Sequence, residues 1–270
     1  MTDAMRGRIM IPATRHPFGA IQSMTCSSEN QYDWNILRKV WHVSGCCVVV
    51  ALFSLWKDVK GPVGGPDILL VLGWLAGAGA VAIDVVRFAS PKNRAALEAH
   101  PVYGKMLRPL ERQHFNASTY MVLAAVILVT LWRFGLCGGA TLMVSMGVLG
   151  VADPAAGGVR YVAARWGRGG AKAYGVMAFV IAGTAVMWSL CRWQNVSLGV
   201  MHMAGIALAV GLLEAHTGWG VRLLSPLTER VRWSFSRRAA HWLRRFYPDD
   251  NLVIPLATAG LMEWMASPMM

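Results

Sequence analysis

The feature that most constrains the fold of this 270-residue chain is a series of long apolar runs. A helix that crosses a bilayer needs ~20 apolar residues, because the hydrocarbon core is ~30 Å thick and each helical residue rises ~1.5 Å. Seven runs approach this length: 37–56, 67–86, 117–132, 136–152, 174–191, 196–214 and 251–266. They predict an all-α, polytopic integral membrane protein with about seven transmembrane helices.

Basic residues alternate in number between the segments that separate these runs. Of the 26 Lys and Arg residues, 22 precede the first run, lie in its first three residues or lie in the second, fourth and sixth connections, and 4 lie elsewhere. Cytoplasmic segments of membrane proteins carry the excess of Lys and Arg. The alternation therefore predicts a cytoplasmic amino terminus, and it explains the net charge of +12 without nucleic-acid binding.

Composition supports a membrane protein, since hydrophobic residues make up 55% of the chain and charged residues only 15%. The five cysteines, four of them within or beside apolar runs, indicate free thiols rather than disulfides. We expect residues 1–32 to form a disordered or loosely ordered tail and residues 33–266 to form the membrane-embedded catalytic domain. The bacterial cytoplasmic membrane is the expected location, with the endoplasmic reticulum as the alternative.

Residues 218–247 form a strongly basic stretch in which aromatic side chains alternate with arginines. This pattern is typical of an amphipathic helix that lies at the membrane interface. We expect residues 222–245 to bind anionic lipid headgroups through their arginines.

Acidic residues concentrate on the predicted cytoplasmic side, at Asp84, Glu111, Asp153, Glu214, Asp249 and Asp250. Asp153 follows the fourth apolar run and precedes a stretch rich in glycine, arginine and lysine. Carboxylates can hold Mg²⁺ and cations can hold phosphates, so this stretch suits a polyanion with its metal ion. The alternative is an ordinary helix end and a basic loop that faces anionic lipid. The pair Asp249 and Asp250 is either a helix N-cap or a second metal-binding point.

Several motifs occur in a fixed order between residues 33 and 265. They are Arg38, Lys39 and His42; Asp84 and Arg87 with Pro91 and Asn93; Leu107, Arg108 and Glu111 with Asn116 and Tyr120; Asp153 with Pro154; and Asp250, Asn251 and Pro255. In order, spacing and membrane side, they resemble the CTP-dependent lipid kinases. This family comprises the CTP-using diacylglycerol kinase, dolichol kinase and phytol kinase, and it is related to phosphatidate cytidylyltransferase.

The resemblance implies CTP-dependent phosphorylation of diacylglycerol or a polyprenol at the cytoplasmic face, with Mg²⁺ as cofactor. It implies catalytic roles for Asp153, Asp84 and Glu111, the last two toward the substrate hydroxyl or the motif arginines. Asp153 and Asp250 would hold the metal ion. The residues implied for nucleotide and phosphate binding are Arg38, Lys39, His42, Arg87, Arg108, Gly157, Gly158, Lys172 and Asn251.

The chain departs from the family pattern around the phosphate-binding loop that the resemblance implies. Ala152 and Arg160 stand where the family has glycine, and no serine follows Lys172. Two alternatives therefore accompany the kinase hypothesis. One is a phosphatidate cytidylyltransferase, and the other is a non-enzymatic membrane protein or lipid transporter on the same fold. The expected partners are the membrane lipid and CTP but no nucleic acid, and a homodimer is left open.

Overall fold

Helices form every regular element in the part of the chain that the computed structural model describes. The described residues are 35–61, 64–107, 111, 114–216 and 249–266. All of them belong to one unit, Asp33–Met270. The all-α prediction is confirmed for these residues. The predicted tail at 1–32, Arg108 and the basic stretch at 218–247 with its lipid-binding residues 222–245 lie outside the described residues.

The described residues contain nine helices, which we number in chain order. They are α1 (Ile36–Trp56), α2 (Gly65–Ala89), α3 (Pro91–Glu98), α4 (Tyr103–Met106), α5 (Ala117–Arg133), α6 (Gly139–Arg165), α7 (Ala171–Trp193), α8 (Val200–Ala215) and α9 (Asp250–Ala266). The two shortest, α3 and α4, lie in the connection between α2 and α5. Each of the other seven overlaps one of the seven apolar runs.

Four of these helices, α1, α2, α6 and α7, are long and apolar enough to cross a membrane. Helices α5 and α8 are apolar but shorter. Large apolar side chains face outward from the bundle, as at Leu75 on α2 and Ile181 on α7, which are 65% and 69% exposed. Outward apolar faces are expected where the surrounding solvent is lipid. These properties are those of an integral membrane protein.

Helix α6 lies at the centre of the bundle and packs against α1, α5, α7 and α9. Its residues Leu142, Met146 and Leu149 are fully buried. The contact with α1 is close, because a Cβ atom on Gly150 would lie 2.7 Å from the Cβ atom of Cys46. Glycine at this position therefore lets the two backbones approach, as small residues do in membrane helix packing.

Helix α6 is longer than the sequence predicts, and this corrects the expected phosphate-binding loop. The apolar run ends at residue 152, whereas the helix continues through Asp153 and Pro154 to Arg165. Gly157 and Gly158, expected in a loop, lie inside this helix. Proline removes one backbone donor from a helix, but Ala152, Ala155 and Ala156 beside it favour helix strongly.

We call the end of the bundle where α6 begins the far end. There, Glu263 of α9 accepts hydrogen bonds through Oε1 from the Gly138 backbone N–H (2.7 Å) and the Thr141 hydroxyl (2.5 Å). A carboxylate at a helix N-terminus satisfies backbone donors and interacts favourably with the helix dipole.

Replacing Glu263 with Gln should destabilise the bundle, because the amide carries no charge to complement the start of α6. We expect a loss of about 1 kcal/mol, typical of a helix N-terminal interaction. Thermal unfolding of the protein in detergent measures it. The control is Asp58→Asn, whose side chain is 81% exposed beside Lys57. Equal unfolding temperatures for the two variants would contradict the capping role.

Candidate functional site

Three carboxylates meet at the opposite end of the bundle, which we call the cluster end. Asp153 of α6, Glu214 of α8 and Asp250 of α9 each place one carboxylate oxygen within 4.8 Å of the other two. Asp153 and Glu214 are buried, and Asp250 is partly buried. We call these three residues the carboxylate cluster. Its members come from distant parts of the chain, so only the packing of α6, α8 and α9 brings them together.

Among the described residues, two cations contact the carboxylate cluster, each at a different acid. Lys39 of α1 donates a hydrogen bond from Nζ to Asp153 Oδ2 at 3.0 Å. Arg160 of α6 binds both oxygens of Glu214, with Nη1 donating to Oε2 at 2.9 Å and Nη2 donating to Oε1. Forked contacts of this kind fix both position and orientation. Counted over the described residues, these three carboxylates and two cations carry one formal negative charge, which favours a further cation.

The side chain of Arg160 reaches Glu214 by crossing α7 at Gly175. A Cβ atom on Gly175 would lie 2.5 Å from Cγ and 2.7 Å from Cδ of Arg160. Glycine is therefore required at this position for Arg160 to lie where it does. Arg160 also interacts electrostatically with Asp153 and Asp250, so it belongs to the charge balance of the whole cluster.

His42 lies beside the cluster on α1 and is held in place by the backbone of α6. Its Nε2 atom is 3.1 Å from the carbonyl oxygen of Leu149 and 4.0 Å from Asp153 Oδ2. A carbonyl oxygen can only accept, so Nε2 carries the proton that it donates to Leu149. His42 thus fixes the approach of α1 to α6 one turn before Asp153.

The carboxylate cluster has the chemistry of a site for Mg²⁺. This ion takes oxygen ligands at ~2.0–2.1 Å, so two ligands of one ion lie at most about 4.2 Å apart. The oxygens of Asp153, Glu214 and Asp250 lie within 4.8 Å of one another, and small side-chain movements would bring them to that spacing. The donors are oxygens only, and the net charge is negative. These residues therefore fit Mg²⁺.

A second set of polar residues joins α1, α2 and α5, and we call it the arginine network. Asp84 and Arg87 of α2 are fully buried and form an ion pair at 2.7 Å. Asp84 Oδ2 also accepts hydrogen bonds from the backbone N–H of Asn116 (2.9 Å) and the hydroxyl of Thr119 (2.7 Å). The pair therefore fixes the start of α5 against the end of α2.

The arginine network extends from Arg87 through Glu111 to α1. Arg87 donates to the backbone carbonyl oxygens of Glu111 and His114, each at 2.6 Å. The Glu111 side chain pairs with Arg38 at 2.7 Å. Burial raises the pKa of nearby Tyr103. Since Arg38 precedes Lys39 in the chain, the network helps to position the lysine that contacts Asp153.

Four residues to which the resemblance gave a role lie at or beside the carboxylate cluster: Asp153, Asp250, Lys39 and His42. Asn251 follows Asp250 and donates from Nδ2 to Asp249 Oδ2 at 2.9 Å. The backbone carbonyl of Asp249 accepts the first hydrogen bonds of α9, from Leu252 and Val253. The acidic pair was predicted to be either a helix N-cap or a second metal-binding point. In the structure Asp249 occupies the N-cap position of α9, whereas Asp250 belongs to the carboxylate cluster.

The structure places the other predicted residues elsewhere. Asp84, Glu111, Arg38 and Arg87 form the arginine network, so the two acids contact the motif arginines. Lys172 is exposed at the start of α7 and forms no ion pair with an acid that the structure describes. Gly157 and Gly158 lie in the body of α6, and Arg108 is outside the described residues.

The contact between Arg160 and Glu214 was not predicted from the sequence. Arg160 follows Asp153 by seven residues, two helical turns, which places both on one face of a helix. This signal was hidden because the stretch after Asp153 was expected to be a loop. Glu214 ends an apolar run on the same predicted side as Asp153 and Asp250. That placement was visible, but its pairing with Arg160 depends on how α6 and α8 pack.

We compared the chain with known protein families, with curated proteins and with solved structures, and found no match in any of the three comparisons.

Replacing Gly175 with Ala should displace Arg160 from Glu214, because the new methyl group would overlap the arginine side chain. Overpacking of this kind costs about 1–3 kcal/mol of folding stability. Thermal unfolding measures the loss. Gly205→Ala on α8 is the matched control, since a Cβ atom there meets nothing within 4 Å. It should be neutral or slightly stabilising. A Gly175→Ala protein as stable as the control would contradict the required close approach.

Proposed function

We propose that this protein phosphorylates a membrane lipid alcohol at the cytoplasmic face, using CTP as the phosphoryl donor and Mg²⁺ as cofactor. The observation that carries the proposal is the carboxylate cluster with Lys39 and Arg160, placed at one end of a bundle of apolar helices. The proposal includes seven membrane spans, a cytoplasmic amino terminus and residence in the bacterial cytoplasmic membrane.

The charges of the site favour a substrate that carries phosphate groups and binds together with a metal ion. With Mg²⁺ bound, the carboxylate cluster, Lys39 and Arg160 together would carry one net positive charge. A site of that charge attracts the triphosphate of a nucleotide. Lys39 and Arg160 remain 15% and 14% exposed in their side chains, so both can contact phosphate oxygens without leaving the cluster.

The location of the site supports a lipid as the second substrate. Lys39 is the fourth residue of α1, so it lies near the membrane surface if α1 crosses the bilayer. A lipid alcohol places its hydroxyl at that depth, and a water-soluble nucleotide reaches the same place from the cytosol. Buried ionisable residues within apolar membrane helices, such as Asp153 and Glu214, are candidates for functional residues because burying them is costly.

In the proposed reaction, the lipid hydroxyl oxygen forms a bond to the γ-phosphorus of CTP. The bond between that phosphorus and the β–γ bridging oxygen breaks, CDP leaves, and the hydroxyl proton passes to a carboxylate oxygen of the cluster. Bound Mg²⁺ supplies neutralisation of phosphate charge during transfer. Lys39 and Arg160 orient the phosphates, and Asp153, Glu214 and Asp250 hold the metal ion.

The arginine network acts in this scheme by positioning α1. Arg38 pairs with Glu111, and Glu111 is held through its backbone by Arg87. Because Arg38 and Lys39 are adjacent, this contact restrains the lysine that binds Asp153. Buried ion pairs that span several elements are suited to fix relative placement, and removing one partner would leave an uncompensated charge.

A dual-label assay tests the proposed reaction. Purified protein in mixed micelles receives CTP labelled either at the γ-phosphate or in the cytidine, together with diacylglycerol, a polyprenol and phosphatidate. We expect γ-label to enter a lipid alcohol in the presence of Mg²⁺. Cytidine label in the lipid would instead identify a phosphatidate cytidylyltransferase. No transfer of either label would favour a non-enzymatic membrane protein or lipid transporter.

Replacing Asp153 with Asn should abolish Mg²⁺-dependent phosphoryl transfer, because the amide neither binds the ion strongly nor balances Lys39. We expect a loss of about 10²–10³-fold or more, since removing one group that stabilises charge in the transition state typically costs about 10²–10³-fold. Binding of Mn²⁺, followed by its electron paramagnetic resonance signal, should weaken in parallel. Asp58→Asn, at the far end of the bundle, is the control. Full Mn²⁺ binding and activity in Asp153→Asn would overturn the assignment.

A further inference from the structure

The two cations that contact the carboxylate cluster are held in different ways. Arg160 uses both Nη atoms on Glu214, and its stem lies against Gly175, where a Cβ atom would come within 2.5 Å of it. The Lys39 side chain has one hydrogen bond to a described residue, from Nζ to Asp153 Oδ2 at 3.0 Å. Arg160 is therefore confined in position and direction, whereas the Lys39 ammonium is held at a single oxygen.

The chemistry of the two side chains increases this difference. A guanidinium is a rigid, planar fork that matches a carboxylate, and Arg160 binds Glu214 in that way. An ammonium is a compact charge with three donors on a flexible four-carbon stem. Lys39 uses one of these donors on Asp153, and its side chain is 15% exposed. Its other donors can therefore serve a ligand that enters beside Asp153.

The Lys39 ammonium lies where it repels a metal ion bound to Asp153. It contacts Oδ2 of Asp153, which is one of the acids that would hold Mg²⁺ in the proposed site. Two cations that share one carboxylate repel each other, and the repulsion is strongest where water is scarce. The Asp153 side chain is only 10% exposed, so solvent and salt screen this repulsion poorly. A divalent ion that arrives alone therefore binds against the charge of Lys39.

A polyphosphate offsets this repulsion, because it brings negative charge to both cations. Its oxygens can coordinate a metal ion and accept hydrogen bonds from an ammonium at the same time. The donors that Lys39 does not use on Asp153 suit the second of these contacts. The same lysine therefore weakens the binding of a metal ion alone and strengthens the binding of a metal ion together with a polyphosphate.

We propose that Lys39 makes the carboxylate cluster selective for a metal–polyphosphate complex over the free divalent ion. This inference rests on the proposed function for the presence of a metal ion at the cluster, but it requires neither cytidine nor a lipid alcohol. It implies that the metal ion and the polyphosphate bind with positive coupling, which is reciprocal by thermodynamic linkage. Lys39 carries the coupling, since it lies beside both ligands.

Binding measurements on the full-length protein in phosphatidylcholine nanodiscs test the coupling. The affinity for Mn²⁺ alone is measured from the electron paramagnetic resonance signal of the free ion, with empty nanodiscs as background. The affinity for radiolabelled tripolyphosphate is measured by equilibrium dialysis, with and without saturating Mn²⁺. We expect Mn²⁺ to raise the affinity for tripolyphosphate about tenfold, within the ~5–150-fold range typical of coupled ligands.

Variants of Lys39 test whether this residue is responsible. Lys39→Met removes the charge and keeps an unbranched stem, so it should bind Mn²⁺ alone about tenfold more tightly and tripolyphosphate with Mn²⁺ about tenfold more weakly. Lys39→Gln, which keeps a hydrogen-bond donor for Asp153, should change both affinities in the same two directions. Lys92→Met is the matched control, because Lys92 is exposed on α3, and it should change neither affinity.

Opposite shifts in the two affinities distinguish selectivity from a structural role. Loss of both affinities in the two Lys39 variants would show that the lysine only holds α1 in place. Unchanged affinities would show that its charge does not act on the metal ion. Either result overturns the inference, and unfolding temperatures confirm that folded proteins are compared.

The outcomes also separate this inference from the proposed function. Opposite shifts without phosphoryl transfer to any lipid alcohol support the role of Lys39 and overturn the kinase proposal. Transfer of γ-label by the unchanged protein, with Mn²⁺ affinity unaltered in both Lys39 variants, overturns the role of Lys39 and leaves the kinase proposal standing. Absence of Mn²⁺ binding, with and without tripolyphosphate, overturns both.

Discussion

The structure depends on the pairing of buried charges inside an apolar helix bundle. Burying a lone carboxylate is costly, and the cost rises where lipid replaces water. Each of four buried acids is matched by a base: Asp84 by Arg87, Glu111 by Arg38, Asp153 by Lys39 and Glu214 by Arg160. Three of these pairs join residues distant in the chain. The pairs therefore specify which helices are neighbours as well as neutralising the acids.

The two sets of pairs have different compositions and suit different tasks. The arginine network has two acids and two arginines, and Asp84 and Arg87 are fully buried. These contacts suit a structural role, in which the network holds α1, α2 and α5 together. The carboxylate cluster has three acids, and Lys39 and Arg160, the cations that contact it among the described residues, retain some exposure. Partly exposed charges can be reached by water or by a ligand, which is the property expected of a binding site.

Much of the fold follows from the sequence, because apolar runs of bilayer length leave the backbone few alternatives to helix. The runs located seven helices and the charges placed Asp153 and Asp250 at one end. The prediction that the chain leaves the helix after Asp153 was wrong. Pro154, Gly157 and Gly158 are residues typical of loops, and only tertiary packing keeps the chain helical at these positions. The partners of Arg160 and the crossing at Gly175 depend on three helices packed together, which no local pattern encodes.

The carboxylate cluster also constrains the ends of the two helices that supply its later members. Glu214 lies at the end of α8 and Asp250 at the start of α9, and both are members of the cluster. Moving either acid by one residue would turn its side chain by about 100° around the helix and away from Asp153. An insertion or deletion inside either helix end would therefore dismantle the cluster, so the register of these two residues is strictly constrained.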